Sequence, residues 1–322
     1  MNILVTGSTG FIGSNLCRAL LEAGHRVRAF HRPTSTLRML EGLEVEHALG
    51  DLTNPDTLRP ALEGIEVVFH TAAYMGGSQP GKQYAVTVEG TRRLARAALE
   101  AGVRRLVQTS SVAALGVPAL GHTEPVDEHH TWNYHPERYP YGYAKYQAEL
   151  EIQKVVAQGL DAVIVNPSMV FGPGDIYRQT SSILRAIARR RLPATVEGGL
   201  NVVHIADVVA GHIAALERGR TGERYILAGD NMTHLAFAQL AARCAGVPAP
   251  ALVVPGWLLR ALAGPAGLLE NFLNLPVSTD LFHLAGRYFY YTSAKARDQL
   301  GLPTHRPAEE ALRTALDWFA AN

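Results

Sequence analysis

Thr6-Gly7-Ser8-Thr9-Gly10-Phe11-Ile12-Gly13 links a short apolar run, residues 3–6, to a segment of helical periodicity, residues 11–23. The run is uninterrupted, as a strand buried on both faces should be. In the helical segment Ile12, Leu16 and Leu20 share one face, and Gly24 follows as a stop. Gly7 and Gly10 permit a tight turn that brings backbone close to a pyrophosphate, and Gly13 lets the helix pack near the strand. Thr9, Phe11 and Ile12 complete a loop whose N–H groups, at the positive end of a helix, face an anion. Strand, glycine turn and helix in this order predict dinucleotide binding.

The first half of the chain keeps the alternation. Further strands are expected at 27–30, 45–48, 65–69, 105–109 and 162–165, with long helices at 83–101 and 141–158. This order predicts an α/β fold, a Rossmann doubly wound parallel sheet with helices on both faces. After Asn166-Pro167 the pattern loosens. A helix is expected at 181–191, a short strand at 202–205, a helix at 206–217 and a strand at 223–227 returning to the sheet. Thr233 caps a helix reaching 245, and Pro307 opens a final one. Residues 1–166 and about 202–229 are expected to form the dinucleotide-binding domain, and about 167–201 and 230–322 a smaller interleaved C-terminal substrate lobe.

Composition narrows the function classes. With 47% hydrophobic and 18% charged residues over 322 positions, the chain has the apolar surface that a disordered chain lacks. A formal charge of +1 gives no global attraction to nucleic acid or an anionic membrane. A local basic patch is open at Arg189-Arg190-Arg191, though the run reads first as a solvated helix end, where cations suit the dipole. Cys17 and Cys244 are too few for a disulfide framework, and a reducing compartment is expected. The opening residues run straight into a strand without a basic region and apolar core, so a cytoplasmic location is expected. Residues 247–269 carry one charge, Arg260, and are long enough to span a bilayer. Pro248, Pro250, Pro255, Gly256, Gly264 and Pro265 would break such a helix, so no membrane span is expected; core packing is favoured, with a substrate lid, a subunit contact or a membrane-surface helix as alternatives. The polar stretch His122, Glu124, Asp127, Glu128, His129, His130 and His135 matches no compact metal motif and reads as a rim loop; no metal is expected.

Two further segments carry chemistry. Phe30-His31-Arg32-Pro33-Thr34-Ser35 ends the second strand, where an acidic residue would bind both ribose hydroxyls of NAD. Arg32 instead suits a 2′-phosphate and an adenine face, with Ser35 and Arg38 nearby, so NADP(H) is favoured over NAD(H). Tyr141-Gly142-Tyr143-Ala144-Lys145 places a phenol and an ammonium at i and i+4 on one helix face. The ammonium is expected to draw the Tyr141 pKa down toward neutrality, making it a proton-transfer group. Thr109-Ser110-Ser111 ends the fifth strand, at the edge where open α/β sheets bind ligands. Thr71, Ala72 and Ala73, after the fourth strand, are small enough to let the chain pass beside a cofactor. His70 is given no catalytic role.

The glycine turn, Tyr141-x-x-x-Lys145, Lys145-Tyr146-Gln147-Ala148-Glu149 and Asn166-Pro167-Ser168-Met169-Val170-Phe171-Gly172-Pro173-Gly174 together resemble the extended short-chain dehydrogenase/reductase superfamily, the NAD-dependent epimerase/dehydratase family. The resemblance selects Ser111, with Gly116 five residues later, to polarise a carbonyl with Tyr141. It implies that Lys145 tunes Tyr141 and reaches the nicotinamide ribose, that Asp51 and Leu52 meet the adenine, and that Thr109 and Pro167 border the cofactor. Asn166 stands where many relatives have Arg, and Thr87 where the family often has Asn.

Within the superfamily the chain is similar to dihydroflavonol reductases and related aldehyde reductases. It is also similar to the hopanoid-associated sugar epimerase branch, through Asn166-Pro167-Ser168, Gly172-Pro173-Gly174-Asp175 and Gly222-Glu223-Arg224-Tyr225. The resemblance implies an NADP(H)-dependent carbonyl reductase; the alternatives are a nucleotide-sugar epimerase or dehydratase and a non-catalytic dinucleotide sensor. Leu200 replaces the arginine with which the epimerases pair a substrate diphosphate, which favours the reductase. Tyr74, Met75, Val112, Trp132, Tyr134, Met169, Ile176 and Tyr177 mark the expected substrate region, apolar and aromatic. The expected partner is a small-molecule carbonyl or sugar-type substrate, and relatives often dimerise through the two long helices, which implies a homodimer.

Overall fold

The computed structural model describes residues 1–75, 79–177, 180–269 and 279–322. In chain order the strands are β1 Asn2–Thr6, β2 Arg26–His31, β3 Glu46–Leu49, β4 Val67–His70, β5 Arg105–Thr109, β6 Ala162–Pro167, β7 Met169–Phe171, β8 Ala194–Val196, β9 Gly199–His204, β10 Arg224–Leu227, β11 Asp230–Thr233 and β12 Leu252–Val254. The α-helices are α1 Phe11–Glu22, α2 Leu58–Leu62, α3 Pro80–Gln83, α4 Gly90–Glu100, α5 Pro140–Val156, α6 Ser181–Ala188, α7 Ile205–Arg218, α8 His234–Cys244, α9 Gly256–Leu269, α10 Ala294–Leu300 and α11 Ala308–Ala321.

Seven strands form one parallel sheet in the order β10-β6-β5-β4-β1-β2-β3. Side chains alternate across it with the period of a strand. Ile3 and Val5 point to one face, with Leu16 and Leu20 of α1 and Val208 of α7. Leu4 points to the other, with Leu94 of α4 and Ile152 of α5. Each such side chain contributes about 1.5–3 kcal/mol on burial, and burial on both faces is why these strands read as unbroken apolar runs. The chain leaves β1 in one direction, through β2 to β3, and returns to the other side of β1 at β4. The C-terminal ends of β1 and β4 therefore flank a topological switch point, the place where open α/β sheets bind ligands.

The second sheet has the order β11-β9-β7 and lies over a core of Phe171, Leu184, Leu200, Phe237 and Leu312. β9 starts earlier than the expected 202–205 strand and pairs with β7 and β11. The expected 83–101 helix is also different: α3 passes through a π-helical stretch, Tyr84–Glu89, before α4 begins. π turns recur at functional sites, and this one holds Thr87.

Residues 247–269 correct an expectation in part. Val247 packs on the second core and Ala263 is buried, but β12 and α9 leave Leu252, Val253, Trp257, Leu258 and Leu262 exposed. Pro255-Gly256 separates strand from helix, and the helix then continues to Leu269. No helix among the described residues is long and apolar enough to cross a membrane.

Candidate functional site

The turn after β1 is shaped by what its glycines lack. Gly7 has φ +67°, a left-handed conformation, and a Cβ there would lie 2.8 Å from the Ala72 backbone. A Cβ on Gly13 would sit 2.2 Å from the Gly7 carbonyl oxygen. Gly10 is the N-cap of α1 and offers no side chain to its first N–H groups. Thr9 and Phe11 are buried, so the turn presents backbone to the crevice. A bare cradle at a helix N-terminus fits the diphosphate of a dinucleotide. Thr71 closes the other wall, its hydroxyl donating to the Thr6 carbonyl at 2.7 Å.

A buried chain of hydrogen bonds ties this wall to the π-helical stretch. Thr91 Oγ1 donates to the Thr87 carbonyl, so it accepts from His70 Nε2–H at 2.9 Å. His70 Nδ1 then accepts from the Thr6 hydroxyl at 2.7 Å. Burial, with Lys145 adding repulsion, pulls the His70 pKa down to about 3, so this ring is neutral. Thr87, shorter than the family's Asn, still bridges helix and loop: its Oγ1 accepts from the Tyr74 N–H at 3.1 Å. His70 thus holds the β4 loop.

At the far end of the crevice Arg32 is exposed, and among the described residues its guanidinium meets no hydrogen-bond or ion-pair partner. Arg38 instead donates to Asn322 Oδ1 at 2.9 Å. The Asp51 carboxylate accepts from the Thr53 N–H and hydroxyl, which makes it the cap of its own turn. Leu52 is buried against the core that includes Phe30.

Ser111, Tyr141 and Lys145 converge where β5 ends and α5 begins. Ser111 accepts from the Ala113 N–H at 3.2 Å, and its hydroxyl hydrogen-bonds the Tyr141 phenol. Ser110, its neighbour, is buried. Pro140 opens α5, a position that suits proline, and sets Tyr141 in the first turn with Lys145 one turn on. Lys145 is buried, and its Nζ donates to the Thr109 carbonyl at 2.9 Å. Thr109 is itself fixed, its hydroxyl donating at 2.7 Å to Nε2 of His212, whose Nδ1–H is bound by the Val208 carbonyl.

The electrostatics correct a second expectation. The Tyr141 pKa is raised: burial outweighs the Ser111 hydrogen bond, and the phenol stays protonated at neutral pH. Burial also pulls Lys145 down to about 8, against the upward pull of Glu149. In the sequence the pair looked like an isolated phenol and ammonium; in the fold both lose water, which disfavours the charged form of each.

Glu149, given no role above, continues the Tyr141–Lys145 row by another four residues and is buried. Its Oε1 accepts from Asn166 Nδ2 at 2.6 Å, and the same amide donates to the Ser111 carbonyl at 2.9 Å. Arg224 of β10 meets Glu149 Oε2 at 3.3 Å. So Asn166, in place of the relatives' Arg, leaves room for a guanidinium from the neighbouring strand. Glu128, in the polar rim loop, accepts from the Ile226 N–H, and Arg224 donates to the Glu128 and His130 carbonyls, pinning that loop to β10. The i, i+4, i+8 spacing was the signal that marks Glu149. Glu149→Gln is expected to lower the Lys145 pKa further, because it removes the one group that raises it. Lys145 is cationic below that pKa, so the alkaline limb of the kcat/KM–pH profile should move to lower pH. A limb that stays in place would exclude this coupling.

The expected substrate region is brought together only in part. Val112 is buried beside Ser111; Tyr74 and Ile176 are half-buried; Met75 and Tyr177 are exposed. Trp132 is drawn aside: it stacks on Tyr139 and Tyr146 and packs on Tyr143, a different face of α5 from Tyr141 and Lys145. Tyr134 donates to the His283 carbonyl at 3.3 Å and lies under the Arg287 guanidinium. Met169 packs on the second sheet's core, where Leu200 is buried, and Pro167 is buried at the end of β6.

Residues 3–228 match the NAD dependent epimerase/dehydratase family. The chain is 37% identical to a protein of Synechocystis sp. named putative dihydroflavonol 4-reductase, over 98% of this chain and 93% of that one. It is also 37% identical to sterol demethylase protein B of Methylococcus capsulatus, over 99% of this chain and 98% of that one. Among solved structures, gox2253 superposes with a TM-score of 0.87 at 40% identity, covering 99% of this chain and 98% of its own.

Proposed function

This chain belongs to the NAD dependent epimerase/dehydratase family, and we propose that it is an NADP(H)-dependent reductase of an apolar aldehyde or ketone. Membership makes it an enzyme, an oxidoreductase that binds nicotinamide dinucleotide and acts on a small molecule. Leu200 carries the finer reading. It is 8% exposed and packs within the second core, at the position where the resemblance puts the epimerases' diphosphate-pairing arginine. Arg287 is already committed to the Pro118 carbonyl and the Tyr134 ring. The relative named putative dihydroflavonol 4-reductase supports the same direction.

The chemistry follows from the protonation states. A carbonyl oxygen placed against Ser111 and Tyr141 meets two hydroxyl donors, which stabilise the negative charge that develops on it. Tyr141, protonated because it is buried, is the general acid and gives that oxygen a proton. The phenolate left behind is stabilised by the Ser111 hydrogen bond, and the Lys145 ammonium one helical turn on adds its charge. The turn at Gly7, Gly10 and Gly13 would hold the diphosphate of the dinucleotide and Lys145 its nicotinamide ribose; the bound cofactor would supply hydride for the carbonyl carbon. Asn166 and Glu149 keep Ser111 and Lys145 in place from behind.

The unpaired Arg32 supports NADP(H) over NAD(H), since a guanidinium pairs with a 2′-phosphate that a carboxylate would repel. Arg32→Asp is expected to weaken NADPH by about tenfold or more relative to NADH, as loss of a charge-assisted pair implies. Fluorescence titration with both cofactors checks this, and an unchanged ratio removes the role. The same reading includes a homodimer across residues 83–101 and 141–158, where Tyr84 of the π-helical stretch and Leu150 of α5 are exposed. It also includes a cytoplasmic location, whose reducing conditions suit the two unbonded cysteines, Cys17 and Cys244. A panel of apolar carbonyls and UDP-sugars tests the whole. NADPH consumption by carbonyls supports the reductase; cofactor-neutral interconversion of a sugar supports the epimerase instead.

A further inference from the structure

Residues 247–269 contain no acidic side chain and a single basic one, Arg260. Arg260 turns back to donate to the Ala285 carbonyl. What remains on the surface is apolar. Trp257 is 62% exposed and Leu252 68%, and Val253, Leu258 and Leu262 are exposed beside them. Leu258 and Leu262 are one turn apart on α9, with Trp257 flanking them. Isolated apolar side chains are common on surfaces, but a contiguous group of large ones marks a site of interaction.

The charge next to this group indicates its partner. β12 pairs in parallel with β8, Leu252 opposite Ala194. Arg189, Arg190 and Arg191 precede β8; all three are exposed, and none meets a carboxylate among the described residues. Arg191 is three residues from Ala194, so its Cα lies within about 16 Å of that of Leu252. Glu197, which follows β8, accepts from the Gly256 N–H. An apolar face bordered by unpaired arginines is the pattern of an element that lies in the plane of an anionic bilayer surface.

We propose that β12 and the first turns of α9, with Arg189–Arg191, dock this protein on an anionic lipid surface. The docking face connects to Tyr134, one of the residues expected at the substrate cleft. α9 packs on the short helix Thr279–Leu284, whose His283 carbonyl holds Tyr134. On the reading of an apolar substrate given above, this places the mouth of the cleft beside the phase in which such a substrate dissolves. Docking itself requires no substrate and is tested without one.

The experiment is co-sedimentation of the full chain with phosphatidylcholine vesicles, with and without phosphatidylglycerol, in the absence of cofactor and substrate. Binding is expected only with phosphatidylglycerol, falling as salt rises, with brominated lipid quenching tryptophan emission in the unaltered chain but not in a Trp257→Ser variant. Trp257→Ser with Leu258→Ser is expected to weaken binding by about tenfold or more. The triple change of Arg189, Arg190 and Arg191 to Ala is expected to abolish the anionic preference. Dinucleotide binding should survive in both variants, which shows that they are folded. Absence of vesicle binding by the unaltered chain overturns the proposal. So does binding that ignores phosphatidylglycerol, or self-association that Trp257→Ser abolishes without any vesicle binding, since a second copy would then be the occupant.

Discussion

Tyr141→Phe is expected to lower turnover by at least about two orders of magnitude, the usual worth of a positioned general acid, while leaving nicotinamide dinucleotide binding unchanged. The ring that fills the wall beside Ser111 is kept, so the substitution removes one hydroxyl and little else. Two consequences follow from the protonation states. The proton is available because burial keeps the phenol neutral at pH 7. Lys145 remains bound to the Thr109 carbonyl, so its side of the cofactor site is undisturbed. Single-turnover kinetics and a cofactor titration on the same preparation check both halves. Full activity in the variant would show that the proton comes from elsewhere.

Gly13→Ala is expected to be comparably severe by a different route. Its Cβ would stand 2.2 Å from the Gly7 carbonyl oxygen and 2.8 Å from the Gly7 carbonyl carbon. Both are backbone atoms, and Gly7 is held from the other side by the backbone of Ala72. Turn and helix must therefore move apart, at a cost of about 1–3 kcal/mol as for an overpacked core. The N–H groups that face the diphosphate move with them. Dinucleotide binding should be lost or weakened by more than about a hundredfold, given how steeply positioned contacts depend on geometry. Gly10→Ala should be milder in stability, since its Cβ would meet the Gly7 oxygen at 3.1 Å. Thermal unfolding and cofactor titration separate the two effects; normal binding by Gly13→Ala would mean that the turn is not the cradle.

The parallel sheet was legible because its strands are local apolar runs and its glycine turn has a strict spacing. Both signals lie within about ten consecutive residues and depend little on tertiary context. The pairing of Ser111 with Tyr141 was legible through a resemblance. The Glu149–Asn166–Arg224 network was not, because it joins α5, β6 and β10, and a charge at Arg224 gives no sign of what it will face. The direction of the Tyr141 shift failed for the same reason. Desolvation is a property of the packed site, and the spacing of a phenol and an ammonium contains only the Coulombic part. Trp132 shows the limit for aromatic side chains: three tyrosines of one helix face compete for it, and they hold it away from Lys145. In residues 247–269 apolar composition predicted burial, yet composition cannot distinguish a core from a face that waits for a partner.

The most direct test of the account follows the hydride itself. The protein would be given NADPH carrying deuterium at the transferable position, together with an apolar aldehyde or ketone, and the product alcohol analysed by mass spectrometry. One deuterium is expected at the former carbonyl carbon for each NADPH oxidised, with the yield of this product from Tyr141→Phe at least about a hundredfold lower in the same time. Recovery of the carbonyl unchanged, alongside isomerisation of a UDP-sugar with no net loss of reduced cofactor, would contradict it.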